Sequence, residues 1–457
     1  MMELVRDLGA WLVPLILLAG TAALVWVWLT GRPQIALLLL LLGLPLHTVV
    51  FQVASAYLPG WLVSGLRLWR EALLLALCVA IVHQWSAVWP AIRRHWLVGL
   101  GLTLYGLTLL VGVWRGESLG VALSALRLAA MPLALFIIFL SIPSDPSSLE
   151  RAVPWLLGAG AVVCLFALYQ GYVLGPRFLW DYYATDGRLA HSYEVGGSPV
   201  QRLMGTFSSP NQLSLYLVFL SMIAASLFMV GRRPRAAYVG LGSLYVLVLV
   251  LTVSRSGWAG LAVGGALLLL LWWHRWELWA ALGGLGALGF VAMVQRGLLA
   301  RLRDLVSLQE MSAAYHVAIG WDNLQTIARV PLGSGLGSAG ALGKAAEAAG
   351  MIQTRYSTES FLLQIGLQQG WPGMLAFGLL VCVMAAGLVK GLRSAETPFG
   401  RAVTLAALAS LAGAMAHAVM NVDLQDIGVQ SYLWFLVAMG LRMPALDPGR
   451  RERGAHA

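Results

Sequence analysis

Charge is missing from this sequence in long blocks, and that absence restricts its fold more than any motif does. Segments 96–113, 211–230 and 402–420 contain no Asp, Glu, Lys or Arg. Each is close to the roughly 20 residues that a helix needs to cross a bilayer. Backbone groups in hydrocarbon must be satisfied within the structure itself, and apolar runs of this length do so as helices rather than as barrel strands. Over the whole chain 11% of residues are charged, less than half of the about 25% usual in soluble domains. A soluble globular fold is excluded. The fold expected is an all-α polytopic membrane protein forming one transmembrane domain over 1–457.

Spans are read near 11–30, 35–58, 68–84, 96–113, 121–142, 152–174, 211–230, 236–253, 256–273, 277–294, 361–389, 402–420 and 429–442. That makes about 12–13 transmembrane helices, depending on whether one segment is merged or re-entrant. The first three are the most interrupted, by Pro45, Gln52, Pro59 and Gly60. The net charge of +10 sits mostly in short loops, which is a topological pattern rather than a nucleic-acid footprint. Counted back from the C-terminus, Arg93-Arg94, Arg232-Arg233-Arg235, His274-Arg275, Lys390, Arg393 and the basic tail 444–457 share one face, read as cytoplasmic. The smaller loop 175–210, the large and partly helical loop 295–360, and the short turns at Arg255 and Asn421–Gln430 then share the opposite, external face. Arg6 precedes an apolar run with no small-residue cleavage site, so 11–30 reads as a retained span. Cys78, Cys164 and Cys382 lie in apolar runs without metal-like spacing, so no disulfide framework or zinc site is expected. Most of the 19 tryptophans fall near span ends, as in an interfacial belt.

The polar segments of the external face carry the unusual residues. Arg202 lies just outside hydrocarbon, ahead of the helix start at Pro210-Asn211. Arg255 lies between two apolar runs with almost no loop around it, in Thr252-Val253-Ser254-Arg255-Ser256. An arginine at membrane depth costs about 2.5–3.5 kcal/mol on insertion scales and normally has an anionic partner or faces water. No Asp or Glu lies nearby in sequence, so the partner is distant in the chain or is a substrate. Guanidinium groups bind phosphate oxygens in bidentate fashion and stay charged at all relevant pH. Two external arginines therefore fit an anionic, lipid-linked substrate, although an interfacial arginine snorkelling to headgroups remains the plainer alternative for Arg202. The external loops hold no clustered carboxylates and no metal-like His spacing, so no metal and no other cofactor is expected.

In this order the segments resemble the O-antigen ligase and O-antigen polymerase superfamily. Arg202-Leu203-Met204-Gly205-Thr206-Phe207 with Pro210-Asn211 resembles its arginine-glycine-phenylalanine-asparagine motif. The Thr252–Ser256 segment is similar to its threonine/serine-arginine-serine turn, and Pro331-Leu332-Gly333-Ser334-Gly335-Leu336-Gly337 to its proline-glycine-X-glycine loop. Glu359-Ser360-Phe361-Leu362-Leu363-Gln364 with Gly370-Trp371-Pro372-Gly373 resembles the segment closing the large loop. The likeness spans about Arg202 to Asn421. It implies a metal-independent glycosyltransferase in the bacterial inner membrane, working on the periplasmic or exterior face. The donor implied is an oligosaccharide on undecaprenyl diphosphate and the acceptor a glycan or lipid-linked sugar hydroxyl. A chain-length regulator is a compatible further partner, and nucleic acid is not. Arg202 and Arg255 match the family arginines that hold the diphosphate, and Asn211 the motif's asparagine.

The ligase branch usually places a histidine before the asparagine that opens the returning span. Here the chain reads Thr358-Glu359-Ser360, which resembles polysaccharide-polymerase members, and Glu359 becomes the candidate general base. A carboxylate that merely complements a helix N-terminus is the plainer reading of Glu359. His316 is a second candidate base. Arg355 and Tyr356 are candidate substrate contacts, while His191, Asp181, Asp186, Glu194, Tyr182, Tyr183 and Tyr193 could meet sugars from the smaller loop. Three readings compete. They are a polymerase or ligase, a transporter of the same lipid, and a peptidoglycan polymerase. Ionisable residues concentrate in external loops rather than at the bilayer midplane, which favours the enzyme over the transporter.

Overall fold

The computed structural model describes residues 33–59, 63, 78–79, 82–83, 85–141, 146–175, 194–195, 198–231, 234–271, 311–353 and 356–446. The spans expected at 11–30 and 277–294, nearly all of 68–84, the tail from 447, Arg355 and the sugar-contact candidates 181–193 lie outside them.

Between turns and loops the described residues are helical, with a short hairpin, β1 (Glu194–Val195) with β2 (Ser198–Gln201), and one isolated bridge from Ala339 to Tyr356. Helices α1 (Pro33–Gly43) and α2 (His47–Tyr57) are joined through a 3-10 turn at Leu44–Leu46. After them come α3 (Trp85–Arg94), α4 (Trp96–Trp114), α5 (Leu119–Ser141) and α6 (Pro146–Tyr169). The membrane run continues with α7 (Pro210–Met229), α8 (Arg235–Leu251) and α9 (Arg255–Leu271). The large loop contributes α10 (Met311–Arg329) and α11 (Gly340–Ala348), and the chain ends in α12 (Phe361–Ser394), α13 (Pro398–Met420) and α14 (Ile427–Leu446). Among the described residues seven helical segments are long and apolar enough to cross a membrane, and α8 and α9 are shorter apolar helices. The protein is thus an all-α, multi-pass membrane protein. Helix α14 runs through Pro444 to Leu446, three residues into the segment read as tail.

The middle of the bundle is made by α7 and α13. Their spans are 83% and 72% buried, whereas α4, at 28%, is peripheral. Helix α13 packs closely on α9, and small residues explain why. A Cβ added to Gly260 would meet the Gly413 carbonyl at 2.9 Å, one on Gly264 the Ala409 carbonyl at 2.8 Å, and one on Gly413 the Gly260 carbonyl at 2.7 Å. Small residues one turn apart let helix backbones touch where lipid supplies no hydrophobic drive between helices. Gly413→Val should wedge these helices apart and cost about 1–3 kcal/mol. A melting temperature in detergent equal to that of the parent would contradict this packing role.

Sidedness agrees with the charge pattern. Gly101 of α4 abuts Leu380 of α12, and Gly112 abuts Gln369, so α4 and α12 run antiparallel. The Arg93-Arg94 end of α4 therefore lies with the Lys390–Arg393 end of α12. Arg442, near the end of α14, acts on the same His95 that Arg94 acts on, which brings a third chain end to this face.

The span expected as continuous over 361–389 is in fact broken. Gly370 takes φ +69°, outside the range of ordinary L-residues, and Pro372 removes another helical donor. The carbonyls freed by the break are taken by the Pro331–Gly337 loop: Ser334 N donates to Leu367 O at 2.8 Å and Gly335 N to Gln368 O at 3.1 Å. In return Trp371 N donates to Pro331 O at 2.9 Å. The loop is also pinned to α4, with Leu336 N on Gly112 O at 2.8 Å and Arg115 Nε on Gly333 O at 2.8 Å. Irregular backbone beside a membrane survives only where such partners exist. Two glycine-rich motifs, Pro331–Gly337 and Gly370–Gly373, are therefore one interlocked structural joint. A Cβ at Gly370 would sit 2.1 Å from the Pro331 carbonyl, so Gly370→Ala should disrupt folding. Parent-like yield and melting of that variant would refute the joint.

Candidate active site

The site grows from the junction of α7, α8 and α9. Helix α7 starts at Pro210 because Ser209 is its N-cap, accepting from Gln212 N at 3.1 Å. Helix α8 ends in the tight turn Thr252-Val253-Ser254, where Val253 has φ +52°. A β-branched residue there is strained, at a cost of order 1–3 kcal/mol. The turn reverses the chain in so few residues that Arg255 becomes the first residue of α9. Ser254 caps that helix, accepting from Gly257 N at 3.1 Å.

A buried line of hydroxyls ties the two helix starts together. The Ser214 hydroxyl is 2.7 Å from Asn211 O and 2.9 Å from the Ser254 hydroxyl, which lies 3.2 Å from that of Ser256. Across this junction Arg202 Nε donates to Thr252 O at 2.9 Å, and one Nη donates to Asn211 Oδ1 at 2.7 Å. Leu203 N donates to Leu251 O at 3.3 Å. Arg202 and Asn211, from one segment, are thus brought to Arg255 from another.

The carboxylate that the local sequence lacked comes from the α13–α14 turn. Asp423 Oδ1 accepts from the Ser209 hydroxyl at 3.2 Å, and its charge acts on Arg202. Burial, with Asp426 adding to it, pushes the Asp423 carboxyl up to about 7 against the pull of Ser209 and Arg202. Burial also lowers Arg202 to about 10, Asp423 opposes this, and the nearby Arg255 reinforces it. The cluster thus sets two guanidiniums against the buried Asp423 carboxyl, with Asp426 beside it. The Asn421–Gln430 segment was read only as a short external turn, and nothing local marks Asp423 as a partner of Arg202.

Glu359 is half-buried and stands one residue before Ser360, the N-cap of α12. This stretch is tied to the same turn: Ser360 Oγ donates to Ala418 O at 3.2 Å and Phe361 N to Asn421 O at 3.2 Å. Glu359 and Asp423 therefore sit on two segments bonded to each other. His417, one residue before Ala418, is fully buried with its ring against the Asn211 backbone. It went unremarked in the sequence because it lies inside an apolar run.

The other candidates are placed differently. His316 is exposed on α10, a helix that packs against α12. Tyr356 is half-buried against Ile327, Ala339 and Leu367, and its backbone N donates to Ser338 O at 2.9 Å, so it stitches the loop together. Among the described residues no group of three His, Cys, Asp or Glu converges as metal ligands would.

Residues 240–378 match the family model described as O-antigen ligase. The matched stretch takes in most of α8, the Arg255 turn, α9, the large loop and the first half of α12, and supports the O-antigen ligase and polymerase superfamily. Arg202, Asn211 and Asp423 lie outside it and join it only in three dimensions. No curated protein matches the chain.

Proposed function

We propose that this chain, an O-antigen ligase/polymerase-type membrane enzyme over its matched residues, polymerises oligosaccharide repeat units carried on undecaprenyl diphosphate. The reaction takes place on the external face of the bacterial inner membrane. The observation that carries the reading is the paired Arg202 and Arg255, backed by Asn211 and Asp423 at a bundle end. In the proposed reaction an acceptor sugar hydroxyl attacks the anomeric carbon of the donor. The bond from that carbon to the diphosphate oxygen breaks, and the hydroxyl proton passes to Glu359. Arg202 and Arg255 stabilise the charge that develops on the leaving lipid diphosphate, the kind of preorganised electrostatic term that dominates many enzymes. An acid in place of the ligase branch's histidine favours repeat-unit polymerisation over a single transfer. Purified protein given lipid-linked repeat units, with products read by mass, should yield a ladder. One added glycan per acceptor would assign a ligase, and unchanged glycan would end the enzymatic reading.

In this scheme Asp423 is the counter-ion of Arg202 in the empty site. When a diphosphate takes its place the carboxylate becomes a like charge, so the protonated form is favoured in the complex. Both phosphates of a diphosphate diester are ionised across the neutral range, and Arg202, at about 10, stays charged. Donor affinity should therefore be highest below pH 7 and fall as pH rises through the Asp423 value of about 7. Asp423→Asn should flatten that dependence. A slope that survives in Asp423→Asn would remove Asp423 from the site.

The arginines do the work assigned elsewhere to a divalent ion, so transfer should proceed at full rate in excess chelator. Loss of activity in chelator with recovery in magnesium or manganese would overturn this part of the proposal.

A further inference from the structure

The turn that presents Asp423 to the arginines has a second side. Gln425, two residues on, faces a cavity of about 60 Å³ between α4, α5, α12 and α14. Five glutamines line it: Gln364, Gln368, Gln369, Gln425 and Gln430. Three of them, Gln368, Gln369 and Gln430, are more than nine-tenths buried. A buried primary amide is costly in an apolar bundle unless its bonds are made, so so many in one place call for a reason. Part of the demand is met within the protein. Gln364 Nε2 donates to Gln425 Oε1 at 2.9 Å, Gln368 Nε2 to Ala339 O at 3.1 Å, and Gln369 Oε1 accepts from Thr108 at 2.9 Å. Gln364 Oε1 and Trp434 Nε1, on residues of the same lining, also lack a partner and are closed off from the space itself.

The five amides around the space supply both donors and acceptors, which a group that both donates and accepts, as a hydroxyl does, can match. No Asp, Glu, Lys, Arg or His lines the cavity, so a charged ligand has no counter-ion there. Tyr105, Phe361 and Phe377 add aromatic surface, a setting that suits the C–H faces of a sugar. The volume holds a few waters at roughly 10–15 Å³ of such space each, enough for a hydroxyl-bearing edge but not for a whole ring. Gly340 keeps the wall open, since a Cβ there would come within 2.8 Å of Gln364 Nε2.

We propose that this cavity is a subsite for the hydroxyl-bearing edge of a neutral sugar residue of the acceptor glycan. The inference rests on the transfer reaction proposed above. The one 3-10 turn then serves both substrates, with Asp423 toward the donor diphosphate and Gln425 toward the acceptor sugar.

The test uses full-length protein in nanodiscs and the neutral oligosaccharide released by mild acid from the source cells' own polyprenyl-linked glycans. Binding is read by saturation-transfer NMR. The parent should bind it, and Gln430→Met and Trp434→Phe should each weaken binding at least tenfold. Arg255→Ala should bind the oligosaccharide as the parent does. Trp434→Phe removes the indole N–H and trims the bicyclic ring while staying aromatic, so, once its melt shows it folded, it carries the test if Gln430→Met does not fold. Absence of binding to the parent, or equal binding by parent and Trp434→Phe, would overturn the subsite and leave a cavity filled by water only. If the glutamine and tryptophan variants lose the oligosaccharide while Arg255→Ala still transfers like the parent, the diphosphate reading fails and the subsite stands. If Arg255→Ala is inactive while Trp434→Phe binds normally, the reverse holds.

Discussion

Arg255→Ala should lose transfer activity by two orders of magnitude or more while inserting and folding normally. The side chain is the first residue of α9, where the helix dipole already favours an anion. Its neighbour across the junction is Arg202, and the two guanidiniums repel in the empty site. A diphosphate relieves that repulsion, most strongly when leaving-group charge has developed. Removing one preorganised contact of this kind costs about 2.7–4 kcal/mol of transition-state stabilisation, or about 10²–10³ in rate. The same change deletes a like-charge contact in the unliganded protein, and thermal melts establish that the variant is folded. Arg255→Lys, which keeps the charge but loses the bidentate fork, should fall between the two. Initial rates at saturating donor, alongside thermal melts, decide the matter. Near-parent turnover in Arg255→Ala at equal expression would remove the diphosphate role.

Glu359→Gln should lower kcat by about 10²–10⁴-fold, the usual contribution of a positioned general base, with donor affinity nearly unchanged. Glutamine keeps the size of the side chain and its hydrogen-bonding reach beside the Ser360 cap, so the start of α12 should survive. If Glu359 served only the helix dipole, the change would cost about 0.3–1 kcal/mol of local stability and little rate. Asp423→Asn should behave differently, acting mainly through donor affinity and its pH dependence. Measuring kcat and donor KM for both variants separates a proton acceptor from an arginine counter-ion. Glu359→His should retain activity if this position accepts the proton. Parent-like turnover in Glu359→Gln together with an inactive His316→Ala would move the base to α10.

Much of the membrane architecture was open to reading because its cause is local. A run such as 211–230 has no charge to keep in water, so its helical state and burial follow from composition alone, and α7 is where it was expected. The sidedness of Arg93-Arg94 and Lys390–Arg393 followed for the same reason. Trp96 and Trp114 are 63% and 83% exposed at the two ends of α4. Trp434 is the exception, fully buried, because its helix faces the bundle interior. No local signal separates a belt tryptophan from a core one.

Arg202 and Arg255 could likewise be singled out from sequence, since each is costly where it stands and lacks a local counter-ion. Their partner could not be found that way. Asp423 reaches Arg202 only because α13, packed on both α7 and α9, ends beside the start of α7. The break in α12 shows the same limit. Gly370 and Pro372 announce an interruption, but the loop that fills it is recruited from Pro331–Gly337, across α11 and the irregular chain before α12. The sequence by itself determined what each segment had to bury and which side charged residues had to occupy, because solvation acts residue by residue. Which distant segments satisfy one another's unpaired groups is a matter of close approach in three dimensions. The counter-ion of Arg202, the joint at Gly370 and the glutamine cavity were therefore decided by the tertiary structure.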